Sequence, residues 1–194
     1  ERKTHANLMY PGIGVGGYCL TKDPLLASWS RKNLFNANSN LNMSIESVSI
    51  NDRMPRYAYE RLIDVFGSLK NKKVLFLGVS YRGDVGDTRF SPVESLYELI
   101  KDERANIKLH DPYVSYWEEQ GCKVETDLKK VFSFESDLII ISTGHSLYKQ
   151  NYTFSKIMEL KPQKIYDTVG LFSKEQLKEL RTIHTLSVLG RGDI

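Results

Sequence analysis

Asn71-Lys72-Lys73-Val74-Leu75-Phe76-Leu77-Gly78-Val79-Ser80-Tyr81-Arg82-Gly83-Asp84-Val85-Gly86-Asp87-Thr88-Arg89-Phe90-Ser91-Pro92-Val93-Glu94 is the stretch where the character of the chain changes. Val74 to Leu77 are consecutively apolar, as suits a strand buried on both faces, and such strands belong to parallel sheets covered by helices. The loop that follows carries three glycines, Gly78, Gly83 and Gly86, and two arginines, Arg82 and Arg89. Ser91-Pro92-Val93-Glu94 fits a capping box with proline at the first helical position, so a helix is expected from Pro92.

The same unit recurs downstream. Ile107 to His110 precedes an expected helix near Tyr113, and Leu138 to Ile141 precedes one near Phe154. Ile165-Tyr166 precedes a helix from about Lys174, opened by a second capping box at Ser173-Lys174-Glu175-Gln176, and Ile183 to Leu189 gives a last strand. The expected fold is α/β, a doubly wound, mainly parallel, Rossmann-like sheet. Ligands of such sheets bind outside the carboxyl ends of the strands, which points to the Gly78–Arg89 loop.

Upstream of Asn71 the pattern is helical. Asp23-Pro24 reads as a helix start, with Asp23 as cap and a helix to about Phe35 whose Leu25, Leu26, Trp29 and Leu34 face the core. Asn36 to Asn40 breaks it. Apolar residues then recur near the helical period at Ile45, Val48, Pro55, Ala58, Leu62 and Val65 as far as Gly67, and Pro55 is expected to kink or split that helix. The expected organisation is a helical part, residues 1–70, joined to an α/β domain, residues 71–194.

Composition narrows the function. The 194 residues are 41% apolar and 26% charged, with a net charge of +3. No basic run is interleaved with aromatics, so nucleic acid is not an expected partner. No apolar run reaches the roughly 18 residues of a membrane span, and the start has no signal-peptide core, so the expectation is a cytoplasmic protein without a membrane partner. The two cysteines, Cys19 and Cys122, stand far apart, and no spacing suggests a metal site. A start at Glu1 rather than methionine reads as that of a fragment.

Tyr10-Pro11-Gly12-Ile13-Gly14-Val15-Gly16-Gly17-Tyr18-Cys19-Leu20-Thr21-Lys22-Asp23-Pro24 carries the densest chemistry. Gly12-x-Gly14-x-x-Gly17 satisfies the dinucleotide fingerprint literally, but the polar Glu1 to Asn7 is no buried strand. No Asp or Glu lies between Pro24 and Ile45 to hold a ribose, so the match is treated as accidental. Cys19 is the candidate nucleophile, with Lys22 close by to favour its thiolate. Asp23 is either a helix cap or a group that positions and deprotonates water. Asp84, Asp87 and Arg89 read either as a solvated turn or as a ligand loop in which arginine clamps a phosphate. Cys122 reads as a small residue at a strand start, and His110 and His145 as structural histidines. On the residues alone two functions stay open beside what any resemblance implies: an acyl transferase pairing Cys19 with a base such as His145, and a non-catalytic dimerising nucleotide-binding module.

Four separated motifs, in this order, resemble the UDP-glucose/GDP-mannose dehydrogenase family: Gly14-x-Gly16-Gly17-Tyr18-Cys19-Leu20-x-Lys22-Asp23, Asn51-Asp52-Arg53-Met54-Pro55, Gly86-Asp87-Thr88-Arg89-x-Ser91-Pro92, and Asp111-Pro112. The resemblance covers essentially the whole chain. It implies the family's helical dimerisation core and nucleotide-sugar-binding domain, without the NAD-binding Rossmann domain and the catalytic lysine, asparagine and glutamate or threonine upstream of it. The implied reaction oxidises the C6 alcohol of a UDP-sugar to a carboxylate with two NAD. Cys19 holds the aldehyde as a thiohemiacetal and then a thioester, and Asp23 assists the water that hydrolyses it. The resemblance also implies substrate contacts at Tyr10, Pro11, Gly12, Gly14, Gly16, Tyr81 and Arg82, and NAD contacts at Lys22 and Arg89. It implies a homodimer through the 24–66 helices, with Arg2 or Lys3 as a candidate for an arginine lent by the dimer mate. Asp167-Thr168-Val169-Gly170 departs from the Asp-Gly-Arg of UDP-glucose enzymes, which turns the expectation towards UDP-N-acetylhexosamines. A chain lacking the NAD domain is expected to be inactive alone.

Overall fold

The computed structural model describes residues 12–192. Two helices come first, α1 (Tyr18–Asn33) and α2 (Asn42–Phe66). Then follow β1 (Lys73–Leu77), α3 (Pro92–Asp102), β2 (Asn106–His110), a small hairpin of β3 (Tyr116–Trp117) and β4 (Cys122–Lys123), and α4 (Leu128–Val131). β5 (Leu138–Ile141), a 3-10 turn at Ser146–Lys149, α5 (Asn151–Met158), β6 (Lys164–Asp167), α6 (Lys174–Leu180) and β7 (Thr185–Val188) complete the chain.

β2-β1-β5-β6-β7 form one sheet in that order, all parallel. Alternate residues of a strand point to opposite faces, and the sheet divides its apolar residues accordingly. Val74, Phe76, Leu138, Ile140 and Tyr166 pack with Ala58, Leu62 and Phe66 of α2, with Leu96 and Ile100 of α3, and with Trp117. Leu75, Leu77, Ile139, Ile141 and Ile165 pack on the other face with α4, α5 and α6 through Val131, Ile157, Leu177 and Leu180. Each side chain buried in this way stabilises the fold by roughly 1.5–3 kcal/mol relative to exposure, so the doubly wound architecture follows from continuous apolar runs that need cover on both faces.

Several expectations require correction. The first helix opens at Tyr18, so Asp23 is not its cap and Pro24 lies inside it. The N-cap is Gly17, held at φ 83°, a conformation that glycine adopts without the Cβ penalty. Leu25, Leu26, Trp29 and Leu34 do not enter this chain's core; Trp29 is 55% and Leu34 64% exposed. Pro55 does not split α2, which runs unbroken to a C-cap at Gly67 (φ 76°).

No helix forms near Tyr113. There the Asp111 carboxylate accepts the Tyr113 N–H at 2.9 Å, bending the chain into a turn, and the β3–β4 hairpin inserts Trp117 into the core with no exposed surface. The Ser91 box is only half made. Ser91 Oγ accepts from Val93 N–H, while Glu94 is engaged by Gln120 at 3.0 Å instead of by the cap backbone. At Ser173 both arms of the box are present. Among the described residues no helix is long and apolar enough to cross a membrane.

Candidate functional site

Strand order places the chain reversal between β1 and β5, because the path runs from β1 outward to β2 and then returns to β5. Their carboxyl ends splay apart at such a point and leave a crevice for a ligand. Two loops form it, residues 78–91 after β1 and 142–146 after β5.

Close packing fixes these loops. A Cβ on Gly78 (φ 102°) would come within 2.3 Å of the Thr143 side chain, and one on Gly83 within 2.5 Å of the Gly144 carbonyl. Beneath them lies Asp111, fully buried at the end of β2. Its Oδ2 accepts from Val79 N–H (2.9 Å), Ser80 N–H (3.1 Å), Ser80 Oγ (2.9 Å) and His145 Nε2 (3.0 Å). Burial alone would raise the Asp111 carboxyl, but the donors from His145, Val79 and Tyr113 outweigh it and hold the group below its ordinary value.

His145 has no free ring nitrogen, because Nδ1 accepts the Asp84 N–H at 2.9 Å and Nε2 therefore carries the proton given to Asp111. Buried with no exposed surface, it is not placed to act as a base for Cys19, so the acyl-transfer alternative loses its candidate partner. Asp84, at φ 61°, accepts Ser146 N–H (2.8 Å) and Ser146 Oγ, and these bonds lower its carboxyl pKa.

Further along the loop, Asp87 receives Arg89 Nε at 2.9 Å and a second guanidinium nitrogen at 2.7 Å, a bidentate pair that lowers the Asp87 carboxyl. Asp84 and Asp87 thus hold the loop together, while Arg82 and Arg89 remain exposed at its rim. Arg89 also lies 5.3 Å from the centroid of the Tyr18 ring, which meets Phe90 edge-on at 5.0 Å.

The glycine segment crosses this edge of the sheet. A Cβ on Gly12 would lie 3.2 Å from the Thr168 carbonyl beyond β6, and one on Gly14 3.1 Å from Pro92. At Gly16 it would meet the Phe90 carbonyl at 2.5 Å and Tyr81 Cβ at 2.6 Å, and at Gly17 the Tyr81 ring at 3.0 Å. Glycines here let the backbone pass flat against the loop after β1. The path delivers Tyr18 and then Cys19, an exposed free thiol, into the first turn of α1. Thr21 Oγ1 steadies that turn by donating to the Gly17 carbonyl at 2.7 Å.

Cys19 and Asp23 are four residues apart and share a helix face. Lys22 Nζ donates to Asp23 Oδ1 at 2.7 Å, and this bond raises the lysine pKa. The structure therefore brings Gly14, Gly16 and Gly17 against Tyr81, Phe90 and Pro92, Gly12 against Thr168 and Arg89 against Tyr18, while Cys19, Lys22 and Asp23 follow on α1. Tyr10, Pro11, Arg2 and Lys3 lie outside the described residues. The sequence reading missed Asp111 as the hub, Asp84 with Ser146 as a staple, and the two hydrogen bonds that join the Asn51 side chain to the Val15 backbone. An aspartate before proline at a strand end is the only local signal that marks the first of these.

Comparison with known proteins gives the same picture. The sequence profile described as UDP-glucose/GDP-mannose dehydrogenase family, UDP binding domain, matches residues 75–174. A UDP-N-acetyl-D-mannosamine dehydrogenase from Pyrococcus horikoshii is 31% identical over 188 residues, covering 95% of this chain and 40% of the relative. One from Methanococcus aeolicus is 30% identical over 162 residues, covering 82% of this chain and 34% of the relative. The solved Pyrococcus horikoshii UDP-D-ManNAc dehydrogenase superposes with a TM-score of 0.74 at 28% identity, over 99% of this chain and 42% of that one. The chain thus spans roughly two fifths of the length of the relatives it matches.

Proposed function

This chain belongs to the UDP-glucose/GDP-mannose dehydrogenase family, and we propose that it is the nucleophile-bearing and nucleotide-sugar-binding part of an NAD-dependent UDP-sugar 6-dehydrogenase. The observation that carries the reading is the position of Cys19. The glycine segment presses on the 78–91 loop through Gly16 and Gly17, and the helix that follows at once carries an exposed free thiol in its first turn, with Asp23 one turn further on.

In this reading UDP occupies the crevice between the β1 and β5 loops, with Tyr81 and Arg82 as its contacts and Gly12 to Gly16 along the sugar. The Cys19 thiolate adds to the C6 aldehyde to give a thiohemiacetal, and its oxidised form is a thioester. Asp23 accepts a proton from the water that attacks the thioester carbonyl, releasing the uronate and restoring the thiol.

NAD supplies the acceptor for the two hydrides. The residues present fit contact with an edge of it: Arg89 is exposed beside Tyr18, and Lys22 lies one turn from Cys19. Gly78 and Gly83 after β1 pack against Thr143 and Gly144. In this reading the body of the NAD site lies on the family's NAD-binding domain, and the chain alone is inactive.

Residues 1–70 assemble a homodimer through the 24–66 helices, residues 71–194 hold the nucleotide, and the protein works in the cytoplasm. UDP-N-acetylhexosamines are the preferred substrate class, as the names of the relatives and Asp167-Thr168-Val169-Gly170 suggest. The test is to assay the complete protein with a panel of UDP- and GDP-sugars, measuring uronate and NADH. Cys19→Ser should stall after the first oxidation; undiminished acid production by that variant overturns the mechanism.

A further inference from the structure

Asn51, half-buried in α2, makes two hydrogen bonds to Val15, 36 positions earlier in the chain. Val15 N–H donates to Oδ1 at 2.7 Å, and Nδ2 donates to the Val15 carbonyl at 2.8 Å. One amide side chain thus gives Val15 the pairing that a neighbouring strand would give. Pro55 has no N–H to return to the Asn51 carbonyl four residues back. That carbonyl also faces the glycine segment, 3.6 Å from where a Cβ on Gly14 would stand.

Val15 is 49% exposed, so water can satisfy its backbone without help. What the clamp adds is position. The segment is fixed by α2 at Val15 and by the β1–α3 loop at Gly16, Gly17 and Tyr18, and the thiol follows within four residues of the clamp. Displacing a reacting group by about 1 Å is enough to cost two orders of magnitude in rate. We propose that Asn51 is a positioning residue for the Cys19 nucleophile, acting through both backbone groups of Val15. This rests on the reading of Cys19 given above.

The test compares Asn51→Ala and Asn51→Asp with the wild type in the complete protein between pH 5 and 8. Alanine removes both bonds at every pH. Aspartate keeps the acceptor, but as a carboxylate it sets an oxygen against the Val15 carbonyl; once protonated, its O–H replaces Nδ2 and restores the pair. Asn51→Ala should lower kcat for sugar-nucleotide oxidation at least tenfold at all pH values, with UDP affinity within threefold of the wild type. Asn51→Asp should be equally impaired at pH 8 and recover, relative to the wild type, as pH falls to 5, because a carboxylate set against the Val15 carbonyl takes up its proton above the ordinary range of about 4. Hydrogen exchange of residues 12–20 should accelerate in step.

Wild-type kcat in Asn51→Ala overturns the proposal. So does a loss of kcat matched by loss of UDP affinity and unfolding midpoint, without recovery of Asn51→Asp at low pH, because that pattern belongs to a purely structural residue. If Cys19→Ser makes acid at the wild-type rate, the functional reading fails by itself. The clamp is then decided by iodoacetamide alkylation of Cys19, which should change at least threefold in Asn51→Ala; an unchanged rate overturns it.

Discussion

His145 Nε2 donates to Asp111 Oδ2 at 3.0 Å, and the Asp84 N–H ends on the opposite nitrogen of the same ring at 2.9 Å. Since Asp111 also takes the Val79 and Ser80 amides, the pair ties both ends of the 79–84 segment to one buried carboxylate. Tyr81 and Arg82 lie between those ends. Asp111→Asn replaces one acceptor oxygen with an NH2 group that faces donors, and should cost about 3 kcal/mol of stability. UDP affinity should fall further than that loss of folded protein explains. Urea unfolding and calorimetric titration with UDP measure the two effects, and a variant with both values unchanged would show that the carboxylate is dispensable.

Acid should weaken the fold well before carboxylates protonate. Burial depresses His110 from 6.5 to about 4 in the folded chain. Its stabilising contribution as a neutral ring is therefore complete above pH 6.5 and is lost as pH falls towards 4, because the unfolded state takes up the proton first. The slope in that window is about 1.4 kcal/mol per pH unit for one such group. Asp111, held below its ordinary value, adds its loss only below about pH 4, the usual carboxylate range. His110→Asn should flatten the profile between pH 6.5 and 4 and leave the steeper acid limb. Urea midpoints at half-unit pH steps would reveal it, and an unchanged slope would contradict the assignment.

Gly78→Ala should destabilise more than any other glycine substitution in the β1 loop. Its φ of 102° already excludes most side chains, and the new Cβ would lie 2.3 Å from Thr143 Cβ and 2.8 Å from the Thr143 backbone nitrogen. The strain of that φ and overpacking together cost about 2–5 kcal/mol. Thr143→Ala in the same chain should recover only the small part due to Oγ1, since the contacts with Thr143 Cβ and the backbone nitrogen remain. A double-mutant cycle on unfolding midpoints checks this, and full recovery would place the whole penalty in the Thr143 hydroxyl and methyl groups.

Residues whose message is local were legible in the sequence. Leu138 to Ile141 reads as a strand because burial on both faces requires an unbroken apolar run, and the strand has those bounds. Ser173 and Gln176 announce a helix start because both halves of the box lie within four residues. The start of α1 was not legible, because Gly17 caps it without a side chain while Asp23-Pro24 mimics a cap inside the helix. Asp111 with His145, and Asn51 with Val15, are pairs made by tertiary structure across 34 and 36 positions. No periodicity or spacing records such a pairing, so Cys19 stands out in the sequence through its motif while the contacts around its segment do not.

The apolar residues of α1 supply the last test. Leu25, Leu26 and Trp29 occupy a helix whose one buried residue is Ser28, and on α2 Ile50 and Tyr57 are exposed as well. Single exposed apolar side chains are ordinary, but a contiguous apolar patch marks an interaction surface. A second copy meeting these helices would give the side chains the cover that this chain's core does not. The wild-type protein is therefore expected to sediment as a dimer at micromolar concentration, and Trp29→Glu and Leu26→Glu as monomers. The sheet, whose two cores draw nothing from α1, should keep its urea midpoint once concentration-dependent unfolding has been separated out. Turnover by the complete protein should fall with the dimer fraction if a partner residue completes the site, and persist in the monomer if each chain is self-sufficient. A wild-type monomer, or a dimer untouched by both substitutions, would remove α1 from the interface.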